Sequence, residues 1–87
     1  MEFKANQIVV LRNGNVGVTA SFKGKPFQLV FASFTTPTKR YNEDLKVKNE
    51  NYDVVELRDG SKLKNVLDAF KKSFKTEEYP LVWKREE

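Results

Sequence analysis

The 87-residue chain contains neither cysteine nor histidine. Without cysteine there is no disulfide to staple a small fold and no thiolate to hold a metal. Without histidine the commonest general base and metal ligand is also missing, and only carboxylates, lysines, tyrosines and hydroxyls remain for any chemistry. The four glycines, Gly14, Gly17, Gly24 and Gly60, fall in neither spacing of a phosphate-binding loop and read as turn or bulge residues. The acidic pairs Glu43-Asp44 and Glu77-Glu78 lack the alternating spacing of a calcium loop and have no identifiable acid/base partner. These absences predict no metal, no cofactor and no catalysis. No run approaches the ~18 apolar residues of a membrane span. The opening, Met1-Glu2-Phe3-Lys4-Ala5-Asn6, lacks the charged-then-apolar pattern of a signal peptide, so the chain reads as cytoplasmic with no membrane partner.

What is present favours folding. Hydrophobic residues make up 39% of the chain and phenylalanine occurs seven times, too apolar and aromatic a composition for disorder. A domain this small buries only about 60 to 65% of its unfolded surface, so its core is modest and self-association could supplement it. The net charge of +4 is unevenly spread. Residues 1–42 hold six Lys/Arg against one acid, residues 43–60 three against six, and residues 61–87 seven against five, giving +5, −3 and +2. That balance suits a solvated surface and also allows weak attraction to nucleic acid.

The local pattern is mostly of strands. Gln7 to Arg12 is β-branched and stops at Asn13-Gly14, a dipeptide suited to positive φ at both central positions of a hairpin turn. Val16 to Phe22 alternates, with Val16, Val18, Ala20 and Phe22 on one side. After the turn residues Lys23-Gly24-Lys25-Pro26, Phe27 to Phe34 forms a third arm apolar on both faces. Thr35 to Asn51 reads as a long loop, broken by Pro37, with at most a short strand near Tyr41 to Val47. Tyr52 to Arg58 returns to β character and ends at Asp59-Gly60-Ser61.

Residues 62–75 carry the most periodic pattern. Leu63, Val66, Leu67, Phe70 and Phe74 recur at i, i+3, i+4, i+7 and i+11, which predicts an amphipathic helix. Burial would be worth about 1.5–3 kcal/mol for each of these side chains, more than propensity gives an isolated helix of this length, so the helix requires a sheet beneath it. Pro80 follows its end, and the closing segment 79–84, with Leu81-Val82-Trp83, either covers the core or pairs with a sheet edge. The predicted whole is a single α+β domain. A bent antiparallel sheet of four or five strands over 6–58, compatible with a partial barrel, is packed by one C-terminal helix at 62–75.

Candidate binding residues fall in three groups. Phe22-Lys23-Gly24-Lys25-Pro26-Phe27 and Lys39-Arg40-Tyr41 interleave cations with rings, the chemistry that stacks bases beside phosphates. Ser61, Lys62 and Lys64 sit at the predicted helix start, where free amides could hold an anion. Lys62, Lys64, Lys71, Lys72 and Lys75 form a basic outer helix face that suits either solvent or a phosphate backbone. Trp83, the single tryptophan, suits a core edge or a partner's anchor.

The opening, Ile8-Val9-Val10-Leu11-Arg12-Asn13-Gly14-Asn15-Val16-Gly17-Val18, resembles the first hairpin of small SH3-like barrels, including the KOW type, over about a quarter of the chain. For the KOW type that resemblance implies RNA binding. The loop after Phe34 lacks the acidic and aromatic signature of a proline-peptide groove, so that activity does not carry over. With its Tyr41-Asn42-Glu43-Asp44-Leu45 loop, the whole chain is also similar to short uncharacterised proteins of Gram-positive bacteria, their phages and mobile elements. This second resemblance implies no activity. The expected function is a non-catalytic accessory or regulatory module that binds a protein, or itself through strand pairing. Weak nucleic-acid binding is the alternative.

Overall fold

A computed structural model describes residues 3–4, 6–21, 27–41, 45–63, 65–71 and 73–86. Six strands lie among them: β1 (Gln7–Leu11), β2 (Val16–Ser21), β3 (Phe27–Phe31), β4 (Thr35–Pro37), β5 (Val54–Asp59) and β6 (Leu81–Lys84). They form one antiparallel sheet in the order β4-β3-β2-β1-β5-β6. The first four strands are a meander, and β5 returns along the free side of β1. The end strands, β4 and β6, occupy opposite edges, so the described sheet is open rather than a partial barrel.

The β1–β2 hairpin forms where Asn13-Gly14 predicts it, with a tighter use of backbone freedom. Within this turn only Gly14 takes a positive φ, at 91°. Its N–H donates to Leu11 O at 2.9 Å, and the Asn13 side chain accepts from Asn15 N at 3.0 Å, so one left-handed residue suffices for the turn.

Alternation along β1 directs two sets of side chains to opposite faces. Val9 and Leu11 join Leu29, Phe31, Leu45, Val54 and Leu57 in the main core, with Phe3, Phe34, Tyr41 and Trp83 packed at its margin. Gly17 stands between Val9 and Phe31 in the ladder, and a Cβ there would lie 2.5 Å from Phe31 Cδ1; the missing side chain is the space the ring occupies. Ile8 and its partner Val18 are buried on the other face, where Leu63 and Ile8 both abut Gly60. β2 is therefore covered on both sides.

No α-helix occurs among the described residues, and 62–75 does not pack the sheet as one: the architecture is mostly β, not α+β. Within 62–75 stands a short 3₁₀ turn at Val66–Phe70, and a second follows at Thr76–Glu78. Asn65 is extended at φ −147°, ψ 133°, and its side chain accepts from Leu67 N at 3.0 Å, so the predicted helix is interrupted one turn from its start. The apolar residues then point in separate directions: Leu63 meets Gly60, Ala69 is buried, Phe74 stacks on Tyr79 at 5.3 Å, and Leu67 is 60% exposed. Within the helical series Leu63, Leu67 and Phe74 thus have different surroundings, and no single surface covers all three.

The third arm ends at Phe31, and Ala32-Ser33 turns the chain so that Phe31 N donates to Phe34 O at 2.8 Å. Thr35–Pro37, read from sequence as a break, becomes β4. Pro37 is tolerated because this is an edge strand. The strand count is thus six rather than four or five, the sixth being β6. It pairs with β5 and fulfils the edge-pairing option for Leu81-Val82-Trp83.

Candidate functional site

An open cleft of about 740 Å³ lies beside β4, between Phe34–Thr36 on the sheet and the segment from Val47 to Tyr52. Three rings form its apolar part. Phe34 stacks on the core residue Phe31 at 4.7 Å and meets Tyr52 edge to face, 5.9 Å away with the planes at 88°. Tyr41 stands against Phe3 at 5.7 Å, and its hydroxyl donates to Tyr52 O at 2.8 Å. Tyr52 is the most exposed of the three, at 39%. Two exposed cations, Arg40 and Lys48, also line it, and no carboxylate is among the described lining residues.

The cleft wall is held by Asp53, which is 3% exposed. Its Oδ1 accepts from Val47 N at 2.9 Å and its Oδ2 lies 3.5 Å from an Arg12 guanidinium nitrogen. Its carbonyl accepts from Arg12 N at 2.9 Å, while its own N–H donates to Glu50 O at 3.0 Å. A buried carboxylate is tolerable only with such partners. Asn49 caps the adjoining 3₁₀ turn at Glu50–Tyr52 by accepting from Asn51 N at 3.1 Å. Behind the wall, Leu45 is buried at a φ of 61°, a left-handed conformation costing a leucine about 1–2 kcal/mol. Its carbonyl accepts from Val54 N at 3.1 Å and from the Arg85 guanidinium at 3.3 Å, which fixes that backbone.

Burial, and secondarily the charge of Asp53, push the Tyr41 phenol up to about 12. The hydroxyl is a fixed neutral donor near neutral pH, suited to bracing the cleft and unsuited to proton transfer.

Of the residues singled out from sequence, Arg40 and Tyr41 line this cleft, and Lys39 is exposed beside them in the 3₁₀ turn Thr38–Arg40. Lys62 and Lys71 are exposed but do not line it, and Lys71 pairs with Asp68 at 3.0 Å. Trp83 lies on β6, at the other edge of the sheet from β4. Its ring packs against the core under the Arg85 guanidinium, 5.2 Å from the ring centre, which is the core-edge role. Lys23, Lys25, Lys64 and Lys72, together with Glu43 and Asp44, fall outside the described residues. No group of three or more acidic residues able to hold a metal occurs among the described residues. No described helix is long and apolar enough to cross a membrane.

No family model, curated protein or solved structure matches the chain. The site must be read from its own chemistry.

Sequence reasoning missed Phe34, Lys48 and Tyr52. Phe34 read as the end of a buried arm and Tyr52 as the start of a strand. The available signal was the concentration of rings at Phe31, Phe34, Tyr41 and Tyr52 around a loop too polar to bury them all.

Both sheet edges carry features that oppose strand pairing with a second copy. β4 is three residues long and ends in Pro37, while β6 is preceded by Pro80, ends in Lys84, and has a bulge opposite Leu57/Arg58.

Proposed function

We propose that this protein is a non-catalytic binding module whose working surface is the cleft beside β4, and that its ligand combines an anionic group with an apolar or planar one. The carrying observation is the lining itself: Phe34, Tyr41 and Tyr52 with Arg40 and Lys48, and no carboxylate among the described lining residues. Apolar concavities with a few convergent polar groups are the usual form of a binding site, and this volume lies within their ordinary range of about 300–1,000 Å³. Cations at the rim orient and attract the anion, while desolvation of the rings supplies affinity. The non-catalytic part of the reading is supported by the lack of histidine and cysteine in the chain and by the occupied state of the nearest ionisable groups. Tyr41 is bonded to Tyr52 O, and Asp53 to Val47 N and Arg12.

Titration of the protein with phenylacetate, followed by amide chemical shifts, tests this. Perturbations are expected at Phe34, Tyr41, Lys48, Asn49 and Tyr52, and phenethylammonium should produce none. Silence with the carboxylate, or shifts centred on β6, would refute the cleft as the working surface.

A further inference from the structure

Resting on that reading of the cleft, we infer that its physiological occupant is a short acidic peptide segment of a protein partner, bearing an aromatic or aliphatic anchor between carboxylates. Three observations select this chemistry.

The rings come first. Phe34 and Tyr52 stand at 88°, so a planar group lying on one meets the other with its edge. That corner accepts one side chain. It does not offer the successive platforms on which the bases of a single strand stack. Tyr41 cannot swing out to make a second platform without losing its bond to Tyr52 O and its contact with Phe3.

The charges come second. Arg40 and Lys48 are the cations among the described lining residues; Lys39 stands exposed beside Arg40 without lining the cleft, Lys71 is paired with Asp68, and neither it nor Lys62 lines the cleft. Two cations match the carboxylates on either side of one anchor residue, whereas a nucleic-acid strand calls for a continuous basic groove.

The remaining lining comes third. Thr35, Thr36 and Asn49 add neutral polar residues to the lining, compatible with the main chain of a peptide. Pro37 and the shortness of β4 disfavour capture by strand addition, so anchor and charge carry the recognition.

Fluorescence anisotropy decides the matter with three labelled probes: a peptide with a central phenylalanine flanked by glutamates, the same peptide with lysines for glutamates, and an oligothymidylate of matched length. The acidic peptide should bind and the lysine peptide should not. Arg40→Glu and Lys48→Glu should each weaken the acidic peptide about tenfold, a charge effect reduced by added salt. Both positions are exposed, so unchanged thermal melts will show that the variants fold. Tyr52→Ala should weaken the peptide without changing the salt dependence. Oligothymidylate binding as tightly as the acidic peptide, or acidic-peptide binding indifferent to both charge reversals, overturns the inference but leaves the cleft as a site. If no peptide binds while phenylacetate still shifts the cleft resonances, the peptide is wrong and the site stands. If phenylacetate also fails, both fall.

Discussion

The hydroxyl of Tyr41 donates to the backbone carbonyl of Tyr52 at 2.8 Å, a bond that closes an eleven-residue excursion of the chain. It joins the turn that presents Arg40 to the segment that presents Lys48. Tyr41→Phe removes the bond and keeps the ring against Phe3. A loss of about 0.5–1.5 kcal/mol is expected, measured by urea unfolding. Faster amide exchange over residues 46–52 should accompany it.

The same residue sets a stability limit at high pH. A phenol ordinarily titrating at 10 is pushed up to about 12 in the folded protein, so between those values the folded chain retains a proton that the unfolded chain has released. Tyr41 therefore contributes its full stabilisation below pH 10 and loses it as pH rises towards 12. Tyrosinate absorbance should contain a component with a midpoint near 12 that is absent from Tyr41→Phe, and the variant's stability should fall less between pH 10 and 12.

Asp53 makes the wall of the cleft a structural unit. Asp53→Ala strands the Val47 N–H and removes one partner of the Arg12 guanidinium, which keeps Glu50 O, at an expected cost of about 1–3 kcal/mol. Thermal denaturation gives the magnitude. Phenylacetate binding should weaken as well, because Val47 and Lys48 lose their fixed position.

Gly17→Ala puts a methyl group where the Phe31 ring lies, with the Val30 carbonyl 2.6 Å from the same point. The ring and strand cannot both move aside in a packed core, and a loss of about 1–3 kcal/mol is expected by chemical denaturation.

Leu67 and Leu57 separate the observed chain path from the predicted helix. Leu67→Ala should cost no more than about 0.5 kcal/mol, since that side chain is 60% exposed. Leu57→Ala, at a fully buried position, should cost about 2–5 kcal/mol. A large loss at Leu67 would restore the helical stripe.

Strand identity was legible where local chemistry and burial agree. The β-branched run of β1, the turn at Gly14 and the Val54–Asp59 strand follow from side-chain preference and one flexible residue. The candidate site was legible in part. Arg40 and Tyr41 stand together in sequence, but Phe34, Lys48 and Tyr52 reach them only through the fold.

The amino-acid order alone determined that this chain folds on aliphatic and aromatic burial, begins with a β-hairpin, and has no histidine or cysteine chemistry to offer. Tertiary structure decided the fate of residues 62–75 and the place of the cleft. A helical period states which residues are apolar, not that one surface covers them all. Here the Asn65 side chain accepts from Leu67 N, Leu63 lies against Gly60, Phe74 stacks on Tyr79 and Leu67 is exposed, so the local preference is overridden. The cleft likewise exists because Asp53 ties Arg12 to Val47, groups far apart along the chain whose meeting only packing can arrange.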